Sequence, residues 1–134
     1  MGETVLIGTT EAPVEVMGVH GGENPIFWKR FMTGNMMWSD LDSFEHVRVP
    51  PGTVIGEHVH SRTEEIYFVI KGRGEMRVGA ESREVGPGDL ILTPLHERHG
   101  FYPIGDEPVE LIVSEVLPPA IRDVLPPHQP AVEG

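Results

Sequence analysis

The sequence contains no cysteine. Disulfide bonds, zinc sites built from thiolates and cysteine nucleophiles are therefore excluded. Any metal ion that the chain binds must be held by nitrogen and oxygen ligands.

Positive charge is scarce. The chain has 10 Lys and Arg residues against 21 Asp and Glu residues, which gives a formal net charge of −11. A strongly acidic surface repels phosphate backbones and anionic lipid headgroups. We therefore expect neither a nucleic-acid partner nor a membrane partner.

Long hydrophobic runs are also missing, since no apolar stretch approaches the roughly 20 residues of a membrane-spanning helix. The opening residues, MGETVLIGTTEAP, have no basic leader, and their apolar run is too short for a signal peptide. These features predict a soluble cytoplasmic protein.

Helical periodicity is scarce, whereas turn-forming residues are abundant: the 134 residues include 16 Gly and 13 Pro. That length suits one compact domain. Short apolar runs separated by turn residues predict strands at 3–7, 14–19, 26–38, 43–49, 54–60, 65–71, 75–79, 82–85, 90–93, 98–103 and 109–117. Residues 71–74, KGRG, have the composition of a hairpin turn. Many short strands at this spacing favour an all-β sandwich or barrel.

The pattern divides the chain into three parts. Residues 1–42 hold the first strands and an aromatic segment, which we expect to pack on the barrel or on a second subunit. Residues 43–117 form the barrel, and residues 118–134 form a proline-rich tail. Within the tail, AIRDVL can make one helical turn between proline pairs.

The stretch HVHSRTEE, residues 58–65, concentrates groups that can bind a metal ion. His58 and His60 have the same strand parity and point to one face. Glu64 or Glu65 opens the next strand, and we expect a hairpin to bring that carboxylate beside the imidazoles. His99 follows a second turn-bounded strand. Each group alone is more often solvated or part of a satisfied core, but their combination favours a divalent transition metal site.

These motifs resemble those of the cupins, small proteins with a double-stranded β-helix. The first cupin signature, G-x5-H-x-H-x3,4-E-x6-G, is matched in full by Gly52, His58, His60, Glu65 and Gly72. The second, G-x5-P-x-G-x2-H-x3-N, is matched in part by Gly88, Pro94 and His99, with His96 and Pro103 in place of its second glycine and its asparagine.

The resemblance spans about residues 43–117 and implies an all-β double-stranded β-helix (jelly-roll) fold. It also implies a divalent transition metal, whether Fe, Mn, Ni, Zn or Cu, held by His58, His60, Glu65 and His99. The spacing to Gly72 selects Glu65 over Glu64.

Strand alternation predicts which neighbouring side chains face the interior. Tyr67 and Val69 follow Glu65 on its face, and Phe101 follows His99. In SFEHVRV, the class with Val47 suits an apolar interior better than the class with His46. We therefore expect Val47, Val69 and Phe101 to line a substrate pocket.

Three residues are candidates for catalysis. Glu45 shares the parity of Val47, and an unpaired inward carboxylate near the mouth could act as a base. Tyr67 could donate a hydrogen bond to substrate, although plain packing is about as common. His96 lies on the turn before His99 and could act as an acid or base at the rim, with solvent exposure as the alternative.

The resemblance implies several functions. The first is a metal-dependent enzyme acting on a small oxygenated organic molecule, by non-redox isomerisation, cyclisation or elimination or by dioxygenation. Family analogy places such enzymes in catabolic or natural-product pathways. The alternatives are a non-catalytic cupin that binds a metal or small ligand, and a metal-free structural cupin. We also expect a homodimer, because the apolar groups of the aromatic segment are too numerous to leave exposed: Phe27, Trp28, Phe31, Met36, Met37 and Trp38.

Overall fold

A computed structural model describes residues 13–22, 24–36 and 38–126. The strand predicted at 3–7, Met37 and the end of the tail from residue 127 lie outside the described residues. Among those that are described, no helix is long and apolar enough to cross a membrane.

The described chain consists almost entirely of β-strands. The ten strands are β1 Val14–Met17, β2 Pro25–Thr33, β3 Leu41–Val49, β4 Ile55–Val59, β5 Glu64–Lys71, β6 Arg73–Val78, β7 Glu81–Val85, β8 Leu90–Thr93, β9 Arg98–Ile104 and β10 Val109–Val116. Short 3₁₀ turns cover Val19–Gly21 and Gly34–Met36, and one helix, α1, covers Pro119–Arg122. This helix confirms the predicted helical turn in the tail.

The strands form two antiparallel sheets. The larger sheet has the order β1-β2-β3-β10-β5-β8, and the smaller has the order β4-β9-β6-β7. The chain passes from one sheet to the other between β3 and β4, between β4 and β5 and again between β5 and β6. This alternation is that of a jelly roll and confirms the predicted fold class.

Both hairpins predicted around β5 are wrong. β4 and β5 lie in different sheets, and so do β5 and β6: β4 pairs with β9, β5 pairs with β10 and β8, and β6 pairs with β9 and β7. Residues 71–74 therefore form a corner between the sheets. Gly72 turns this corner with φ of 82°. The consequence for the site is that His58 and Glu65 face each other across the interior.

The core lies between the two sheets. Alternate residues of β3, β5 and β10 point into it, and Val47, Val49 and Val69 are buried there as predicted. The ring of Phe101 is fully buried against the backbone of Gly74, where any side chain would overlap it.

The aromatic segment extends the larger sheet. β2 pairs with both β1 and β3 and then ends at Thr33, so the strand is shorter than the predicted 26–38. Trp28 packs partly on the core, whereas Met36 and Trp38 are exposed. The tail helix α1 is joined to the residue just before β3, because Nη1 of Arg122 lies 2.9 Å from Oδ2 of Asp40. The homodimer stays a prediction.

Candidate metal centre and its cavity

Four predicted ligand residues meet at one point between the sheets. His58 lies near the end of β4 and is the register partner of His99 on β9. His60 follows β4, and Glu65 faces them from β5 in the larger sheet. One ligand atom from each of the four residues lies within 4.8 Å of the others.

The hydrogen bonds of the imidazoles leave ligand nitrogens free. Nδ1 of His58 is 2.8 Å from the carbonyl oxygen of Gly56, and Nδ1 of His99 is 3.1 Å from that of Glu97. Because a carbonyl only accepts, each Nδ1 carries the proton and each Nε2 has a lone pair.

Buried nitrogens without partners support a metal ion at this point. Nε2 of His58 and Nε2 of His60 are buried and have no hydrogen-bond partner among the described residues. Nε2 of His99 lies 3.1 Å from Oε1 of Glu65, so a lone pair faces a carboxylate. A divalent cation would satisfy all of these atoms, since neutral imidazole and carboxylate are its usual ligands. The residues present therefore fit a metal ion.

The site also holds its ligands in the protonation states that a metal requires. Burial lowers the pKa of His58 to about 4, outweighing the opposing effect of the Gly56 carbonyl. Burial alone would raise the pKa of Glu65, but its contact with the imidazole of His99 and the hydrogen bond from the hydroxyl of Tyr67 bring the pKa below its ordinary value. Near neutral pH, His58 is thus neutral and Glu65 is ionised.

Tyr67 lies inside, as predicted, and its hydroxyl is hydrogen-bonded to Glu65. Burial, together with the charge of Glu65, raises the pKa of Tyr67 well above its ordinary value. Tyr67 therefore stays protonated and orients the carboxylate.

A cavity of about 350 Å³ adjoins the four residues. Its lining consists of Val16, Val19, His20, Trp28, Arg30, Glu45, Val47, Ile55, His60, Glu65, Tyr67, Val113 and Glu115. Val47 lines it as predicted. Val69 and Phe101 do not, because both are fully buried in the core, and their assignment to a pocket is corrected accordingly.

Glu45 faces the cavity, but the expectation of an unpaired carboxylate is wrong. Nε1 of Trp28 donates to Oε2 of Glu45 at 2.6 Å, and Nη2 of Arg30 donates to Oε1 at 2.9 Å. The neighbouring strand β2 supplies both partners. The carboxylate of Glu45 is therefore paired with the Trp28 indole and the Arg30 guanidinium.

His96 lies outside the cavity and is exposed, so a role as an acid or base at its rim is not supported. Its backbone has φ of 69°, in the left-handed region that glycine favours. Its N–H donates to the carbonyl oxygen of His60 at 2.8 Å. His96 thus contributes a backbone tie between the two ligand-bearing segments.

Sequence reasoning missed Glu115, which lies across the strand pair from Glu65. Its carboxylate accepts hydrogen bonds from Ser43 at 3.0 Å and from Thr63 at 3.2 Å. Burial, followed by the charge of Glu65, raises the pKa of Glu115 to about 7. The signal was present in the alternation of VELIVSEV, which gives Glu115 the parity of the inward Val113.

His20 was also missed. Its ring stacks on that of His58 with centroids 3.5 Å apart and planes 10° from parallel. His20 lies in a 3₁₀ turn between β1 and β2, and no periodicity in the sequence signals such a position.

The comparisons agree with this geometry. Residues 45–115 match the family model described as the cupin domain. An oxalate-binding protein of Thermotoga maritima is 23% identical over 105 residues, which cover 78% of this chain and 87% of that protein. An uncharacterised protein of Methanocaldococcus jannaschii is 35% identical over 75 residues, which cover 56% of this chain and 60% of that protein.

A solved structure shares the fold. The crystal structure of a predicted oxalate decarboxylase from Thermotoga maritima superposes with a TM-score of 0.79 at 22% identity, covering 85% of this chain and all of that one.

Proposed function

Because this chain belongs to the cupin family, we propose that it is a metal-dependent enzyme that acts on a small oxygenated organic molecule. The observation that carries the proposal is the pair of buried Nε2 atoms, on His58 and His60, that have no hydrogen-bond partner among the described residues. Both belong to the group of ligand atoms that also includes Glu65 and His99.

The proposed ligands are three imidazoles and one carboxylate: His58, His60, His99 and Glu65. A divalent metal ion held there supplies a Lewis acid for a substrate oxygen and, if it is redox-active, access to reaction with dioxygen. The ligand set suits several ions, from iron and manganese to nickel, zinc and copper.

The cavity supports a small substrate. Its volume of about 350 Å³ lies near the lower end of the range for ligand pockets. The lining combines apolar side chains, among them Val16, Val19 and Val113, with polar ones, among them Glu115 and His60. A compact molecule that carries oxygen atoms fits this lining.

Glu115 is the residue best suited to move a proton. It lines the cavity, and its pKa of about 7 lets the carboxyl give or take a proton near neutral pH. The hydroxyls of Ser43 and Thr63 hold it in place. Acid–base chemistry of this kind favours isomerisation, cyclisation or elimination over dioxygenation. We assign the proton-transfer role to Glu115 in place of Glu45 and His96.

Tyr67 and Glu45 have supporting roles in this proposal. Tyr67 stays protonated and orients Glu65. The charge of Glu45 is balanced by Arg30, with Nη2 and Oε1 2.9 Å apart. The cavity therefore keeps a polar rim without a second free carboxylate beside Glu115.

A second candidate function is the binding of a small carboxylate without turnover. The relative from Thermotoga maritima that carries the name oxalate-binding protein favours it. Oxalate has two adjacent carboxylates and is small enough for a cavity of about 350 Å³.

Metal analysis of the purified protein tests the proposal first. We expect about one equivalent of a transition metal in the wild type and less than a few tenths in His58→Ala. His46→Ala is the matched control, because His46 pairs with Glu110 on the outer face of the larger sheet. Equal metal content in the wild type and in His58→Ala would refute the metal site.

Turnover separates the two functions. The protein loaded with Mn²⁺, Fe²⁺ or Zn²⁺ is incubated with oxalate and with small enols and hydroxy acids, in air and under anaerobic conditions. Conversion that persists without oxygen supports non-redox catalysis, and conversion that needs oxygen supports dioxygenation. Saturable binding of oxalate with no product under any condition supports the binding function instead.

A further inference from the structure

The turn that contains His20, residues 18–22, is docked tightly on β4. Gly56 and Gly22 both make this possible, because they have no side chain. A Cβ atom on Gly56 would overlap the carbonyl oxygen of His20, and one on Gly22 would overlap that of Val54. The two backbones are thus in direct contact at the strand that carries His58.

His20 adopts an unusual backbone conformation in this turn. Its φ of 52° and ψ of 40° are left-handed, and the flanking Gly18 and Gly21 also have positive φ. A non-glycine residue held there costs on the order of 1 kcal/mol, so the surrounding contacts must impose the conformation. One result is that the imidazole of His20 points back over β4.

The ring of His58 is consequently held at one face and one edge. His20 covers the face, with centroids 3.5 Å apart, while the carbonyl of Gly56 holds Nδ1 at 2.8 Å. Together these contacts fix the direction of Nε2, the buried atom without a partner among the described residues. The other ligands are fixed from within the barrel: His99 by its complete burial and Glu65 by Tyr67.

From this geometry we infer that His20 is a positioning residue, which holds the His58 imidazole in the orientation that binds the metal ion. The inference rests on the proposed metal site and extends it to a segment outside the barrel. Residues that orient a ligand typically change metal affinity by about 10- to 100-fold when they are removed.

His20 is not itself assigned as a ligand. Its ring centroid is 6.1 Å from that of His60, and the group of mutually close ligand atoms does not include it.

Two substitutions separate these roles. His20→Ala removes the ring, and His20→Phe keeps a flat ring without nitrogen. The affinity for Co²⁺ is measured by calorimetry with the full chain, and thermal unfolding checks that each variant folds. A second readout, the long-range ¹H–¹⁵N spectrum of the metal-free protein, reports the tautomer and ring environment of His58. His46→Ala is the control.

We expect His20→Ala to weaken Co²⁺ binding about 10-fold or more and to shift the His58 ring signals. His20→Phe should recover most of the affinity and keep the tautomer protonated at Nδ1. Wild-type affinity in His20→Ala would overturn the inference while leaving the metal site intact. Loss of affinity in His20→Phe as large as in His20→Ala would also overturn it, because a nitrogen of His20 would then be needed. If the wild type binds no metal, the proposed function fails and the inference falls with it.

Discussion

Oε1 of Glu115 lies 3.3 Å from Nδ1 of His60, on the side of the imidazole opposite the buried Nε2. The hydrogen-bond partner of Nδ1 is the hydroxyl of Thr63 at 3.4 Å, which itself donates to Oε1 of Glu115 at 3.2 Å. The carboxylate therefore favours the tautomer of His60 with the proton on Nδ1, through its charge and through Thr63, and leaves the Nε2 lone pair for a metal ion. β3 and the loop before β5 support the same carboxylate through Ser43 and Thr63.

Removing this carboxylate should therefore weaken metal binding. We expect Glu115→Ala to lower the affinity by about 10- to 100-fold and Glu115→Gln to have a smaller effect, because an amide oxygen can still accept the hydrogen bond from Thr63. Calorimetric titration with Mn²⁺ or Zn²⁺ measures both. Glu110→Ala is the control, since Glu110 lies on the same strand but faces outward to His46. Equal losses in the Glu110 and Glu115 variants would show that the effect is not local.

The pKa of His58 gives a pH dependence to the stability of the metal-free protein. His58 has a pKa of about 4 in the folded protein and an ordinary value of 6.5 in the unfolded chain. Between these two pH values the unfolded chain therefore binds the proton more tightly than the folded protein does. The free energy of unfolding should thus fall as the pH drops from 6.5 to 4. Glu115 acts in the opposite direction over an overlapping range, so the contribution of His58 is isolated by difference.

Urea unfolding of the metal-free wild type, His58→Gln and the control His46→Gln across this range provides the measurement. We expect the difference in unfolding free energy between the wild type and His58→Gln to shrink on acidification, and no such trend for His46→Gln. A constant difference for His58→Gln would contradict the lowered pKa.

The match to the cupin signatures predicted the four ligand residues, and strand alternation predicted the inward faces of β3 and β5. Motif spacing selected Glu65 over its neighbour Glu64. Alternation placed Glu45 and Tyr67 inside. The inward placement of Glu45 and Tyr67 needs only the period of a strand.

Features that depend on pairing between distant strands could not be predicted in the same way. The hairpin expected between His60 and Glu65 does not form, because the strands on either side pair with β9 and β10, far along the chain. The pairing of Arg30 with Glu45 likewise depends on the register of β2 on β3, which contains an irregularity between Arg30 and Met32. The stacking of His20 requires an irregular turn that no periodic pattern marks.

Arg30 should stabilise the fold by balancing the buried charge of Glu45. We expect Arg30→Met to lower the free energy of unfolding by about 1–3 kcal/mol, because the carboxylate loses its cationic partner. Adding Glu45→Gln to that variant should restore much of the loss. The control is Arg73→Met, whose pair with Glu84 is exposed on both sides and should matter by less than about 1 kcal/mol. Urea unfolding of the wild type and the three variants measures these differences. An equal loss of unfolding free energy in Arg30→Met and Arg73→Met would contradict the stabilising role of Arg30.

The predicted homodimer now has a candidate surface on the outer face of β5 and β8. Phe68 and Leu90 are cross-strand neighbours there, and both are exposed together with Ile70 and Leu92. β8 is the edge strand of its sheet, so large apolar side chains at this position favour association with a second copy.

Light scattering at micromolar concentration should accordingly give twice the monomer mass for the wild type. The double variant Leu90→Glu, Leu92→Glu should be monomeric and still folded, because neither side chain is in the core. Ile104→Glu, on the opposite sheet, is the matched control and should stay dimeric. A monomeric wild type would rule out the dimer, and a dimeric double variant would move the interface elsewhere.

Replacing His96 tests whether an imidazole outside the cavity contributes to stability, metal affinity or turnover. Its φ of 69° suits glycine, so His96→Gly should raise the free energy of unfolding by up to about 1 kcal/mol. Metal affinity should not change, because the link to His60 uses the backbone N–H, which every substitution except proline retains. Glu97→Gly is the control: Glu97 does not have a positive φ, so glycine there should be destabilising. Stability and affinity are measured by urea unfolding and by calorimetry with Mn²⁺. A fall in turnover for His96→Gly at unchanged metal affinity would make His96 a catalytic candidate again. Relief of backbone strain does not lower turnover, so the loss would have to come from the missing imidazole.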